Sequence, residues 1–445
     1  MKALDVSTEK RLTSTEHFGA DINQLYHPTK IYDQDLLDLI YSFDNVNLTK
    51  FTNILLKEWF NMLSVGGYLV IDYRPNLLCD FHKLEEYMWW LWKDYYEIVY
   101  HGSIEKAETE NKSIEDISNY ITDRENYYLK DLDLKTLLPK PFKTTIVPVS
   151  EDGYVRFVCK KTKSSTIPND SMDKWTFGII TNGKRDEWMN TLIESIRSQK
   201  IPNYEILVCG QYYVRDENDI HYIPFEQRYY EAWITKKKNL IVKQAKYENI
   251  CMLHDRLFLD KDWYKGMQSW GNCFEHLGCK QLFEDKRVGD WVVLDSGRGT
   301  FYPIYNVGYN FVSLLDYKDH DNKVFLGGQL HIFKKSIVEK ILWNETYLWV
   351  DRKPEDLDLA LRLRDSGFLT RFNPEAIART HILKFGNMIE IEFNSVKRGG
   401  YKNYYNKRLW GRYILKFLGF LKVDKLVLSK FYNDKLIYKL FKIKI

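Results

Sequence analysis

Residues 177–210 read FGIITNGKRDEWMNTLIESIRSQKIPNYEILVCG, and this stretch decides the fold. Thr176–Ile180 is a short apolar run rich in β-branched residues, as a buried strand requires. It ends in Thr181-Asn182-Gly183, where glycine allows a tight turn and a close backbone approach to a ligand. Apolar residues at helical spacing follow over Asp186–Ser198, and then a second strand pattern over Tyr204–Cys209. Moving outward, a helix is predicted over Thr235–Ala245 and a strand over Glu248–Leu253. Strands alternating with helices imply a parallel sheet with crossover connections. In such sheets ligands bind beyond the carboxyl ends of the strands. Three polar strand ends then converge on one crevice: Thr181-Asn182-Gly183, Gly210-Gln211 and His254-Asp255-Arg256.

Upstream of this region, Lys161–Lys174 reads KTKSSTIPNDSMDK, a polar stretch with the composition of a linker. The region before it shows strand patterns at Ala3–Val6, Phe18–Ile22 and Leu36–Ser42. A helix pattern covers Asn53–Leu63, Gly66-Gly67 makes a turn, and Tyr68–Asp72 is a strong strand. A charged helix is predicted over Leu84–Val99 and an edge strand over Val155–Lys160. The 445 residues thus divide into a first α/β domain (1–165), a linker (166–174), a second α/β domain (175–387) and a basic segment (388–445). Hydrophobic residues at 44% against 28% charged are enough for sizeable cores and exclude a disordered chain.

Six cysteines occur without a CxxC pair, so neither a disulfide framework nor a zinc ribbon is expected, and a reducing, cytoplasmic setting is the default. No signal-peptide pattern opens the sequence, and no apolar run reaches membrane-spanning length. The net charge of +4 conceals an asymmetry. Tyr401–Ile445 carries 12 Lys/Arg and 2 Asp, a balance of +10, which leaves −6 for the rest. In this tail Leu409, Tyr413, Phe417 and Phe420 recur at close to helical period among the basic residues, with Trp410 beside them. A basic amphipathic helix of this kind suits peripheral contact with an anionic membrane, or packing on the catalytic domain with a solvated basic face. No nucleic-acid-binding motif accompanies the charge, and no such partner is expected.

Four blocks, in order, resemble the family 2 glycosyltransferases of the GT-A fold. They are residues 177–210, KKKNLIVKQAKYENICMLHDRLFLDKDW (236–263), VFLGGQLHIFKKSIVEKILWNE (324–345) and PEDLDLALRLRDSGFLTRFNPEAIARTHI (354–382). The resemblance implies transfer of a sugar from a nucleoside-diphosphate donor to a hydroxyl of a glycan or lipid-linked glycan, with inversion. It implies donor contacts at Thr181, Asn182, Gly183, Lys238, Asn239 and Arg256, and acceptor contacts at Gly327, Gly328 and Gln329. Asp356 becomes the general base that takes the acceptor's hydroxyl proton, with Glu355 assisting. Acidic residues are also favoured at a helix start by the dipole alone. A divalent cation would neutralise the departing diphosphate. The family's Asp-x-Asp reads His254-Asp255-Arg256 here, a departure. If His254 coordinates, Mn²⁺ suits the imidazole better than Mg²⁺. Alternatively Asp255 binds the metal alone and Arg256 faces the phosphates. His381 stands near a further ligand position of the family. Asp319-His320-Asp321 is the chief rival Asp-x-Asp, and a solvated loop is its simpler explanation.

The first region resembles class I S-adenosylmethionine-dependent methyltransferases, through LLDLIYSFDNVN, LLKEWFNMLSVGGYLVIDYRPN and the upstream KALDVSTEKRL. Asp5 and Asp21 occupy positions that the resemblance implies for cofactor contacts. Where relatives have Gly-x-Gly, this chain has Ser7-Thr8-Glu9, whose side chains crowd the cofactor's approach. A degenerate domain that binds no S-adenosylmethionine is therefore expected. A bifunctional enzyme and a non-catalytic sugar-binding protein are the alternatives.

Overall fold

The structure, a computed structural model, describes residues 2–7, 10–13, 16–17, 34–49, 51–105, 113–130, 153–210, 217–225, 233–295, 311–345 and 355–382. The predicted strand Phe18–Ile22, Thr8, Glu9, Asp21, Gln211 and the whole basic tail lie outside these residues. Contacts divide the chain into two compact units, Met1–Pro168 and Asn169–Ile445.

The first unit contains β1 (Ala3–Asp5), β2 (Glu16–His17), β3 (Leu37–Phe43), α1 (Thr52–Met62), β4 (Leu63–Tyr73), α2 (Phe81–Trp92), β5 (Tyr96–Ile104), α3 (Ile114–Lys130) and β6 (Tyr154–Lys161). Its sheet runs β2-β1-β3-β4-β6-β5. The first four strands are parallel, and β6 enters antiparallel between β4 and β5. Two expectations are corrected. The helix predicted over Leu84–Val99 ends at Trp92, and Tyr96–Val99 belongs to β5, whose run YEIVY suits a strand. The strand predicted at the edge, β6, is internal and almost wholly buried.

A buried ion pair staples this sheet. Arg156 donates Nε to Asp72 Oδ1 at 2.7 Å and Nη2 to Oδ2 at 2.6 Å, and the Tyr41 hydroxyl donates to Oδ2 at 2.7 Å. The two-pronged geometry and the third donor satisfy a carboxylate with no solvent access. At the end of β1, Asp5 accepts the backbone N–H groups of Ser7, Arg11 and Leu12 at 3.0, 2.6 and 2.7 Å. The Ser7 hydroxyl accepts the Phe43 N–H at 3.0 Å, so the turn after β1 is pinned to β3.

The second unit contains β7 (Lys174–Thr181), α4 (Asp186–Arg197), β8 (Asn203–Gly210), β9 (Ile220–Pro224), α5 (Trp233–Gln244), β10 (Asn249–His254), β11 (Leu257–Leu259), α6 (Trp263–Trp270), β12 (His276–Phe283), β13 (Lys286–Arg287), β14 (Trp291–Asp295), β15 (Phe311–Leu314), β16 (Val324–Leu326), β17 (Leu330–Lys334), α7 (Lys335–Ile341), α8 (Glu355–Asp365) and β18 (Thr370–Thr380). The main sheet runs β11-β18-β12-β17-β10-β7-β8-β9, with β13 paired to β12, and β15-β14-β16 forms a small second sheet. The β10-β7-β8-β9 half is parallel, as the alternation requires. The other half is mixed, because β17 runs antiparallel to both β10 and β12.

Both faces of β7 are buried, which explains its unbroken apolar run. Trp175, Phe177 and Ile179 pack with Met189, Leu192, Ile193 and Ile196 of α4. Ile180 packs on the opposite face with Ile241 and Val242 of α5. The α4 contacts recur at the three- and four-residue spacing of one helix face. Among the described residues no helix is long and apolar enough to cross a membrane. All six cysteines are free thiols.

Candidate active site at the strand ends

β8, β7 and β10 lie side by side and parallel, and their registers bring Thr181 beside Gly210 and Ile180 beside His254. The polar strand ends therefore share one rim. Gly183 sits at φ +70°, in the left-handed region that glycine occupies without strain, and its N–H donates to Thr181 Oγ1 at 3.0 Å. Asn182 turns its amide oxygen to the Lys184 N–H at 3.2 Å, which closes the same turn.

Asp255 is buried at the centre of this rim. Its Oδ2 accepts the Thr181 hydroxyl at 2.9 Å, and its Oδ1 accepts Arg185 Nη1 at 2.6 Å. Lys237 donates its ammonium to the Thr181 carbonyl at 2.6 Å. Burial lowers Lys237 to about 8, against the favourable pull of Cys209 and Asp255.

The second cluster forms around the turn 327–329. Asp356, at the start of α8, accepts the Gly328 N–H through Oδ2 at 2.9 Å and the Leu357 N–H through Oδ1 at 2.9 Å. A side chain on Gly328 would meet Glu355 Oε1 at 3.0 Å and Asp356 Oδ2 at 3.3 Å, so glycine is what lets the carboxylates approach the backbone. Lys238, fully buried, donates to the Gly328 carbonyl at 3.0 Å and stands 3.5 Å from Glu355 Oε1, over the ring of Trp343. Desolvation and the neighbouring Glu355 charge raise Asp356 to about 7, partly offset by Lys238. Burial lowers the Lys238 ammonium, while Glu355 and Asp356 support its charge.

The two clusters are joined. Lys237 and Lys238 are consecutive, and one holds the Thr181 carbonyl while the other holds the Gly328 carbonyl. Between them, the His254 N–H donates to the Gln329 carbonyl at 3.0 Å. Asp255, next in sequence to His254, and Asp356, bonded to Gly328, therefore flank a single short turn.

The other expected site residues make the following contacts within the chain. Lys238 faces the carboxylate pair rather than the β7 end, and Lys237 is the lysine at that end. Asn239 is spent on packing: its amide donates to the Trp343 carbonyl at 2.8 Å and to Glu345 Oε1 at 2.9 Å, and accepts the Trp343 N–H at 2.9 Å. It clamps the segment after α7. Arg256, read as a donor contact, and Gln329, read as an acceptor contact, bind each other, with Nε and Nη2 donating to Oε1 at 3.0 and 2.6 Å. Gln329 in turn donates to Gln281 Oε1. Gly327 lies where the Gly289 carbonyl leaves no room for a side chain. In the rival Asp-x-Asp, Asp319 and Asp321 accept the N–H groups of His320 and Lys323, the bonds of an ordinary polar turn.

The divalent cation implied by the resemblance finds no assembled ligand set among the described side chains, although His381 Nε2 is buried there without a hydrogen-bond partner. Both oxygens of Asp255 are engaged by protein donors. The ring of His381 lies parallel to Trp188, with centroids 5.3 Å apart, and also packs on Phe258 at 4.7 Å. Among the described residues, no three His, Cys, Asp or Glu side chains gather as a metal-holding group, so His254, Asp255 and His381 do not form one. A metal on Asp255 Oδ1 would compete with Arg185 for that oxygen. Sequence reasoning missed Arg185. Its signal was a basic side chain just past the turn that ends β7, close enough in sequence to reach the rim.

No family model and no curated protein matches the chain. Solved structures are similar at low level. The S. aureus TarS fragment 1–349 in complex with UDP-GlcNAc is 13% identical, over 54% of this chain and 65% of that one, with a TM-score of 0.31. A mutant Drosophila β1,4-galactosyltransferase 7 in complex with manganese, UDP-Gal and xylobiose is 14% identical, over 45% of this chain and 64% of that one, with a TM-score of 0.27. GalNAc-T7 with UDP, GalNAc and Mn²⁺ is 9% identical, over 49% of this chain and 47% of that one, with a TM-score of 0.33. The chain spans less than two thirds of the length of each of these three. At such TM-scores the likeness decides nothing about this chain's residues, and its function is read from the geometry above.

Proposed function

We propose that the second unit is a glycosyltransferase that moves a sugar from a nucleoside-diphosphate donor to a hydroxyl of a glycan or lipid-linked glycan. The observation that carries this reading is the turn 327–329, with Asp356 on its Gly328 N–H and the Asp255 rim joined to it through His254 and the two consecutive lysines. One side offers a cationic strand end for a diphosphate, and the other a carboxylate for an alcohol.

Asp356 takes the acceptor's hydroxyl proton as the oxygen attacks the anomeric carbon. The bond from that carbon to the diphosphate oxygen breaks, and its electron pair leaves with the diphosphate. Attack from the face opposite the leaving group inverts the anomeric centre. A base near 7 is well matched to this task at neutral pH. Gly328 and Lys238 fix where the carboxylate stands, and Glu355 lies beside it as a further acceptor for sugar hydroxyls.

The strand order of the first unit, with one antiparallel strand inserted next to the last, supports its reading as a methyltransferase-like domain. The pinning of the turn after β1 by Asp5 and Ser7 supports a scaffold role without S-adenosylmethionine. The balance of +10 over Tyr401–Ile445 supports contact with an anionic membrane surface that carries the acceptor.

The test is release of nucleoside diphosphate by the full chain from a panel of UDP- and GDP-sugars, with and without Mn²⁺. Release from at least one donor, stimulated by a glycan acceptor, is expected. No release above a heat-inactivated control from any donor would end this reading.

A further inference from the structure

Each carboxylate oxygen of Asp255 already accepts a donor from the chain, so a metal ion at Oδ1 would have to compete with an arginine for it. Arg185 Nη1 donates to Oδ1 at 2.6 Å, and the Thr181 hydroxyl donates to Oδ2 at 2.9 Å. The guanidinium is 25% exposed and the carboxylate 6%, so arginine forms the outer layer of the pair and aspartate the inner. The surroundings are already cationic. The Lys237 ammonium binds the Thr181 carbonyl next to this pair, and the third position of the His254-Asp255-Arg256 triplet holds another cation instead of a second carboxylate. A divalent ion placed here would compete with one cation and stand beside others.

We propose that Arg185 is the positive group that binds the donor's diphosphate, in place of a divalent metal ion, with Asp255 as the residue that positions it. This rests on the glycosyltransferase reading above. The guanidinium is held in place. Its central carbon lies 5.0 Å from the Trp188 ring, and that ring is stacked on His381 with an interplanar angle of 7°. Among the described residues Asp255 is its side-chain hydrogen-bond partner, taken through Nη1. The Nε and Nη2 donors remain for phosphate oxygens, and the planar fork of arginine matches two of them at once. The same contact gives Asp255 a role that needs no second carboxylate beside it: it orients a cation that belongs to the chain.

Calorimetric titration of UDP and of GDP into the full chain, stripped with EDTA, tests this. The wild type is expected to bind one of them in EDTA, with Mn²⁺ changing the affinity by less than about threefold. Arg185→Gln removes charge-assisted hydrogen bonds and is expected to weaken metal-free binding roughly 10- to 100-fold. It also frees Asp255 Oδ1, so Mn²⁺ should recover part of the affinity of Arg185→Gln, a rescue that a merely structural arginine would not give. Wild-type binding that appears only with Mn²⁺, or equal metal-free affinity in Arg185→Gln, overturns the proposal. If Arg185→Gln fails to fold by circular dichroism, Arg185→Lys carries the test. It keeps the charge, loses the fork and must bind more weakly in EDTA; equal affinity overturns the proposal. A wild type that binds neither nucleotide, with or without Mn²⁺, removes the glycosyltransferase reading along with it.

Discussion

Replacing Lys238 with methionine should move the pH dependence of the reaction while leaving the chemistry intact. Lys238 and Asp356 hold the same residue from two sides: the ammonium lies 3.0 Å from the Gly328 carbonyl and a carboxylate oxygen 2.9 Å from its N–H. With one residue's width between them, the two charges lie on the order of 5–9 Å apart, where unit charges interact by about 2–3 kcal/mol at an effective dielectric constant near 20. One pKa unit corresponds to about 1.36 kcal/mol, so losing the ammonium raises the carboxyl by up to about 2 units. Solvent at the open side of the site reduces this, and a rise of about 1–2 units is expected. The base then titrates near 8–9 instead of about 7. At pH 7 its ionised fraction falls from about one half to between about 1% and 10%, and kcat/KM falls roughly 5- to 50-fold. At pH 9 the two proteins should agree within about twofold. The assay is nucleoside diphosphate release from pH 5.5 to 9.5, with thermal melts to confirm folding. A loss of the same size at every pH would refute the reasoning, because it would show that Lys238 acts through something other than the ionisation of Asp356.

Four further outcomes follow from the same contacts. The Asp356 carboxyl titrates near 7 in the folded protein and near 3.9 when unfolded, so its proton favours the folded state fully below about 4, and that benefit is lost as pH rises through 7. Relative to Asp356→Asn, the wild-type Tm should therefore fall between pH 5 and pH 8; a constant difference would contradict the raised pKa. Arg156→Met leaves the Asp72 carboxylate buried without its partner and should destabilise the first unit by about 3–5 kcal/mol in urea titrations, whereas Arg156→Met with Asp72→Asn should cost less. Calorimetry with S-adenosylmethionine should show no binding tighter than about 1 mM, and tighter binding would restore a cofactor site to the first unit. The full chain should sediment with vesicles containing phosphatidylserine and stay in solution with neutral vesicles, the effect weakening as salt rises.

The parallel half of the second unit was legible because its strands bury both faces and its helices bury one, so β7, α4, β8, α5 and β10 announce themselves by run length and period. The carboxylates were legible for a related reason: Asp255 follows a buried strand directly, and Asp356 opens a helix. Features fixed by distant partners were not legible. The junction at Trp92–Tyr96 carries no glycine or proline, and only pairing with β6 separates strand from helix there. The internal position of β6 depends on β5, which precedes it by some fifty residues. Nothing local tells Lys237 from Lys238, because neighbouring helix positions point in different directions and only the location of β7 and of Gly328 assigns them. The side-chain hydrogen bonds of Asn239 and Arg256 to Trp343, Glu345 and Gln329 were likewise not legible, because those partners lie far along the chain.

The most direct test of glycosyl transfer with Asp356 as base pairs turnover with binding in one variant. Asp356→Asn removes the proton acceptor and keeps the side chain's size. Its transfer rate should fall by about a hundredfold or more, the scale of general-base catalysis, while calorimetry finds its nucleoside diphosphate affinity within a few-fold of wild type. Turnover by Asp356→Asn at the wild-type rate would contradict the assignment of the base and the reading of the site built on it.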